Sequence, residues 1–119
     1  MASVIAFPAP PFSSGSARPP QTTFDRAELS AIMDLYGRMV AAGLWRDYAI
    51  DMHADAAVFS AFRRASERPE TEVWKRPSLR AKQGMWALVG EGGALMKRGG
   101  ELRGVLAPLE RRLVKVADG

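Results

Sequence analysis

Asp47, Asp51, His53 and Asp55, spaced at odd positions of one short stretch, are the residues of this chain best suited to chemistry. In an extended segment successive side chains alternate between faces, so this spacing places all four on one side. Carboxylates beside an imidazole would suit Mg, Mn or Zn, or a general acid and base pair. The plainer reading is the solvated face of an edge strand running into a polar turn. It weighs more, because metal sites draw their ligands from several elements. His53 is the only histidine, so hydrolysis of the Ser-His-Asp kind has one available base and no nucleophile elbow beside it. With no cysteine at all, disulfides, thiol nucleophiles and thiolate metal sites drop out together. Gly90, Gly92 and Gly93 lie close together, but a phosphate cradle also needs a following Lys and Ser or Thr, and Gly99-Gly100 precedes Glu101. Both glycine groups read as turns. No catalytic residue, metal or cofactor is therefore expected, and a metal-dependent or hydrolytic site at Asp47, Asp51 and His53 ranks last.

The basic residues offer a second kind of chemistry. Lys and Arg number 17 against 13 Asp and Glu, a net charge of +4, and the excess is unevenly placed. Three arginines against six carboxylates leave residues 25–55 at −3. Seven basic against three acidic residues put 63–82 at +4, and six against two put 97–115 at +4. Within the middle block Arg63, Arg64, Arg68, Lys75, Arg76, Arg80 and Lys82 surround Trp74, a composition that suits a nucleic-acid backbone with an indole for stacking. The competing reading is a solvated face that Glu67, Glu70 and Glu72 partly neutralise. Dedicated nucleic-acid binders are usually more basic overall, so this is the alternative rather than the leading expectation.

The elements that position these residues follow from periodicity. A chain of 119 residues that is 47% hydrophobic and 25% charged has room for one ordinary globular domain. Residues 1–23 hold five of the eight prolines and the run Ser13-Ser14-Gly15-Ser16, and read as a disordered Pro-rich tail. Its apolar residues Val4, Ile5, Phe7 and Phe12 would suit a groove or sheet edge of this protein or of a partner. Residues 24–119 then form the domain. Asp25 with Glu28 three positions on predicts a capping box, flanked by Phe24 and Leu29 as a staple. Leu29, Ile32, Met33, Tyr36, Met39 and Val40 mark one helical stripe, and Gly43 stops it. Period-two alternation predicts strands at Tyr48–Met52, Val58–Phe62, Thr71–Lys75, Met85–Val89 and Ala94–Lys97, with connections short enough for an antiparallel meander. A last helix carries Leu102, Val105, Leu106, Leu109, Leu113 and Val116 on one stripe. Pro108 predicts either a bend in it or a turn followed by a helix from about Ala107. The fold class is α+β: an N-terminal helix, a five-stranded mostly antiparallel meander and a kinked C-terminal helix.

Parity adds a clue about partners. Phe59 and Phe62 point to opposite faces of their strand, as do Met85 and Trp86, so the sheet is apolar on both sides. Either the two helices cover the two faces, or one face waits for the tail or a partner. Phe7, Phe12, Phe59, Phe62 and Trp86 are accordingly the candidate protein interface.

Several strings carry a resemblance: Phe24-Asp25-Arg26-Ala27-Glu28-Leu29, Leu35-Tyr36-Gly37-Arg38-Met39-Val40-Ala41-Ala42-Gly43, Trp45-Arg46-Asp47-Tyr48-Ala49-Ile50, Phe59-Ser60-Ala61-Phe62-Arg63-Arg64-Ala65 and Lys75-Arg76-Pro77. Through them the chain resembles, over about residues 24–113, a small alphaproteobacterial family with a domain of unknown function. The resemblance implies a bacterial cytoplasmic setting and a single domain, and carries no functional residue. No basic residue precedes Pro8, and no apolar run approaches the roughly 18 residues of a membrane helix, so neither a secretory leader nor a membrane partner is expected. The expected function is a small non-enzymatic adaptor or regulatory module that binds a protein partner.

Overall fold

Asp25 starts the first helix of the computed structural model, which describes residues 21–64 and 68–118. Its Oδ1 accepts the Glu28 N–H at 2.8 Å, and Glu28 Oε1 accepts the Asp25 N–H at 2.9 Å, closing the expected box. Helix α1 spans Arg26–Ala41. It ends on Gly43, at φ +79°, where the Gly43 and Leu44 amides donate to the Val40 and Met39 carbonyls, both at 2.9 Å. That pair of bonds needs a left-handed residue after the cap, which glycine supplies without a Cβ clash. The buried stripe is Ile32, Leu35 and Met39, while Val40 faces solvent. Successive helical residues are about 100° apart, so a seam centred on Leu35 and Met39 turns Val40 off the core.

Five strands follow: β1 (Asp47–Met52), β2 (Ala57–Phe62), β3 (Thr71–Lys75), β4 (Trp86–Gly90) and β5 (Leu95–Gly99). They pair antiparallel in chain order, the meander expected, with a bulge between Leu88 and Val89. Four of the five lie within one residue of the predicted bounds, and β5 runs two residues further, to Gly99. One close approach fixes the far end of the sheet. Gly84, at φ +100°, lies so near Gly99 that a Cβ on it would sit 2.5 Å from the Gly99 carbonyl carbon, so no side chain fits there.

Helix α2 runs unbroken over Leu102–Asp118 with Pro108 inside it, so the expected separate turn before Ala107 does not form. The amide that Pro108 lacks would have bonded the carbonyl of Gly104, a residue with no Cβ to crowd the ring. Val105, Leu106 and Leu109 are buried, Leu102 and Leu113 pack at the margin, and Val116 is exposed on the last turns.

Both helices lie on one face of the sheet. The register aligns Ile50, Phe59, Val73 and Leu88 across β1 to β4, and this row, with Ala61 and Trp86, forms a single core cluster with Ile32, Leu35, Met39, Trp45, Val105, Leu106 and Leu109. Tyr36, Trp45, Tyr48 and Phe59 interlock at its β1 side, with ring centroids 5.0 to 6.5 Å apart. Phe24 stacks on Trp86 at the other side, 6.1 Å away. Of the two arrangements that parity allowed, helices on both faces is not the one adopted.

Candidate interaction surfaces

The face away from the helices is built from two registered rows. One is Asp51, Val58, Trp74, Ala87 and Arg98; the other is Ala49, Ser60, Glu72, Val89 and Leu95. Asp47 sits opposite Phe62 at the corner. The face therefore carries carboxylates along β1, apolar groups in the middle and arginine at β5, where Trp74, Arg76, Met85, Ala87, Val89 and Arg98 line a shallow groove of about 220 Å³. The Arg76 guanidinium lies 4.9 Å from the Trp74 ring centroid, a cation–π contact.

Asp47 and Asp51 share this face as predicted, but His53 and Asp55 do not continue it. β1 ends at Met52, and alternation ends with it. All four side chains are exposed. Among the described residues no group of three or more His, Asp or Glu converges as a metal site would. What the turn does instead is hold the incoming chain: the Thr22 amide and hydroxyl donate to the His53 and Ala54 carbonyls at 2.8 and 3.1 Å, and the Gln21 side-chain amide donates to the Met52 carbonyl. Gln21 to Thr23, expected in the tail, are thus bonded to the domain.

The basic segment is divided between the two ends of β3. Arg63, Arg64 and Arg68 line a cavity of about 330 Å³ with Glu70 and Glu91, and Arg63 pairs with Glu91 at 3.1 Å. Arg80 and Lys82 lie on the connection at the other end, past a 3-10 turn at Pro77–Leu79, with the Arg80 guanidinium on the Met85 sulfur. Lys75 is turned inward. Its Nζ donates to Glu28 Oε1 at 2.6 Å and to the Thr23 carbonyl at 2.8 Å, 5.8 Å from the Trp86 ring centroid. Trp74 donates to Glu72 at 3.1 Å and is half-buried on the helix-free face. The seven cations and one indole do not form one platform. Glu67 lies outside the described residues.

Two polar hubs went unread in the sequence. Glu70 accepts from the Trp45 indole at 2.6 Å, from Thr71 Oγ1 at 2.8 Å and from Arg112 at 2.8 Å, tying the loop after α1, the start of β3 and α2 together. Burial pushes the Glu70 carboxyl up, yet these three donors outweigh it and hold it below the usual carboxylate range. Arg38 forms a two-pronged bond to Glu110 at 2.8 and 2.9 Å, joining α1 to α2. That bond raises the Arg38 guanidinium and lowers the Glu110 carboxyl. Tyr36 donates to the Arg46 carbonyl at 2.8 Å, and burial first, then Asp47 and Tyr48, raise its hydroxyl. A Trp and an Arg on different elements give no spacing signal for a shared glutamate, so only the helix-cap role of Glu28 was legible.

Of the expected protein interface, Phe59 and Trp86 are withdrawn by the structure, because both are buried beneath the helices. Phe62 is half-buried on the other face, and Phe7 and Phe12 lie outside the described residues. The apolar groups that do stand exposed are elsewhere. Leu95 and Met96 on β5 are 54% and 52% exposed, beside Lys97, on a strand whose outer edge no described strand pairs. Among the described residues no helix is long and apolar enough to cross a membrane.

Fold and surfaces together define a small α+β module, a five-stranded meander roofed on one side by two helices and carrying charge of opposite sign at its two edges. The chain belongs to the family described as "Protein of unknown function (DUF2794)", whose model matches residues 22–106. The match begins at Thr22, the residue whose amide and hydroxyl bond the β1–β2 turn, and ends within α2. No curated protein and no solved structure matches the chain.

Proposed function

We propose that this protein is a non-enzymatic bacterial cytoplasmic adaptor that binds a protein partner by strand addition at β5. The observation that carries the reading is the outer edge of β5, which no described strand pairs, with Leu95 and Met96 half exposed beside it. An unpaired edge offers amides and carbonyls as a template, and an added strand gains main-chain bonds while pockets between side chains select its sequence. The bulge at Leu88/Val89 and the charge of Lys97 are devices that discourage indiscriminate pairing. Lys97, Arg98 and Arg103 around the edge therefore call for an extended segment bearing carboxylates between apolar residues. Co-purification from the native host, with the partner identified by mass spectrometry, tests this. Leu95→Asp and Lys97→Glu should each abolish recovery of the partner that the unmodified protein retains, and equal recovery by both variants would overturn the reading.

One observation favours a second reading, nucleic-acid binding: Arg63, Arg64 and Arg68 line a common cavity. Glu70 and Glu91 line it too, which lowers its appeal to phosphate. Binding by this route should weaken steeply between low and moderate salt and with Arg64→Glu; binding indifferent to both would eliminate it.

A further inference from the structure

Two strands of the sheet have an outer side that no described strand pairs, β1 at one edge and β5 at the other. Four large apolar side chains stand out on them, Tyr48 and Met52 on β1 and Leu95 and Met96 on β5, all between 43% and 54% exposed. Charge separates the two edges. β1 carries Asp47 and Asp51 and no cation, whereas β5 carries Lys97 and Arg98 and no carboxylate. Two β5 edges brought together would oppose cations, and two β1 edges would oppose carboxylates, either of which destabilises a strand pair. β1 against β5 is the combination that sets opposite charges together. The stretch Asp47-Tyr48-Ala49-Ile50-Asp51-Met52 is itself an extended segment with carboxylates between apolar residues, the kind of strand that β5 calls for.

We propose that a second copy of this chain seats its β1 along the outer edge of β5, an inference that rests on the strand-addition reading of β5 and names its partner. β1 and β5 are the first and fifth strands of an antiparallel meander, so they run in the same direction. A copy set beside another, with the helices of both on one side, therefore continues the sheet through a parallel pair. Each cross-strand row that ends on β5 then meets the start of the same row in the next copy. The row that ends at Arg98 starts at Asp51, which places a guanidinium beside a carboxylate. The row that ends at Leu95 starts at Ala49, so two apolar groups meet. On the helix side the row Tyr48, Ala61, Thr71 and Gly90 leads to Met96, whose sulfur lies 3.0 Å from where a Cβ on Gly90 would sit, and Met96 thus faces Tyr48 of the next copy. The row from Ile50 ends at Lys97, whose apolar stem covers the isoleucine while its ammonium stays in water. A slip of one residue would turn every side chain to the other face and undo these matches. Neighbouring strands turn by about 20–25°, so five strands rotate each copy by roughly 100–125° against the last. Each copy also advances about 24 Å across the sheet. The contact is head to tail and does not close on itself, which gives an open helical array.

The test is sedimentation velocity of the full chain over a range of concentrations. The weight-average mass should rise several-fold with concentration and pass the dimer without a plateau. Asp51→Arg and Arg98→Asp should each hold the chain at the monomer mass, since each sets like charges together. The double variant Asp51→Arg/Arg98→Asp should recover the rise, because opposite charges face each other again. Should Arg98→Asp fail to fold, Met96→Glu decides in its place, with the same loss of association expected. A full chain that is monomeric at every concentration would overturn the proposal and leave the β5 reading to its own test, the recovery of a host partner by Leu95→Asp. Association that persists in a folded Arg98→Asp chain would overturn both. Association lost in Arg98→Asp but kept in Asp51→Arg would place something other than β1 on the β5 edge and overturn the proposal, as would a folded double variant that stays monomeric.

Discussion

On one face of the sheet Phe59, Val73, Trp86 and Leu88 meet two amphipathic helices; on the other Val58, Ser60, Trp74 and Ala87 meet none of the described helices. Both faces are apolar in the middle, so alternation along the strands does not distinguish them. Their margins do. The helix-covered face closes its polar groups with specific partners, Lys75 on Glu28 and Arg112 on Glu70, both part-buried. The other face ends in exposed carboxylates along β1 and in Arg76 and Arg98 toward β5. Two helices of 16 and 17 residues can dry only one side of a sheet this wide, and they are locked together on that side by Arg38 and Glu110. The second side depends on whatever the rest of the chain or a partner brings.

The contrast is sharpest at the two phenylalanines of β2. Phe59→Ala should cost about 3–5 kcal/mol of stability in urea denaturation, the usual cost of an aromatic cavity in a closed core. Phe62→Ala should cost about 1–2 kcal/mol, because its site can relax toward solvent. Equal losses would mean that the two faces are packed alike. Next in size is the hub on the helix side. Glu70→Gln keeps the shape but removes the charge that three donors share, and should lower stability by about 1–3 kcal/mol. Its counterpart on the other face, Arg76→Ala, should lower it by about 0.5–1 kcal/mol through loss of the contact with Trp74.

The same hub predicts a pH dependence. Glu70 and Glu110 are held below the ordinary carboxylate value of 4.5, so their contribution is complete above that value and is lost as pH falls through their lower folded values. The urea midpoint should accordingly drop on acidification below about pH 4.5, and Glu70→Gln should flatten that drop. A midpoint that rises with acid would contradict the assigned donors. Smallest of all is Glu110→Gln. Arg38 and Glu110 are about half exposed, and a pair of this kind is worth about 0.5 kcal/mol even when two-pronged.

Local signals were legible wherever one short stretch decides its own structure. The Asp25/Glu28 box, the Gly43 stop, the strand order and the wet face of β1 all depend on neighbours within a few residues. The misreadings share another cause. Val40 is turned off the Leu35–Met39 seam at the flank of its stripe and Val116 falls on the exposed last turns of α2, and Phe59 and Trp86 were assigned to an interface because parity shows that two faces exist without showing which one the helices take. The basic segment looked continuous because β3 was traversed as sequence; five extended residues separate its cations to the two ends of a strand. Lys75 fell out of the set for a reason no charge count contains, a carboxylate 47 positions earlier.

That carboxylate has one more consequence. A single oxygen, Glu28 Oε1, receives both the first amide of the cap and the ammonium of Lys75. Helix ends ordinarily fray independently of the rest of a protein. Here opening the first turn of α1 also strips β3 of its buried counter-charge, so the two must open together. Hydrogen exchange at the start of α1 should keep pace with the middle strand of the sheet, while the far end of α2, with its exposed valines, opens by itself.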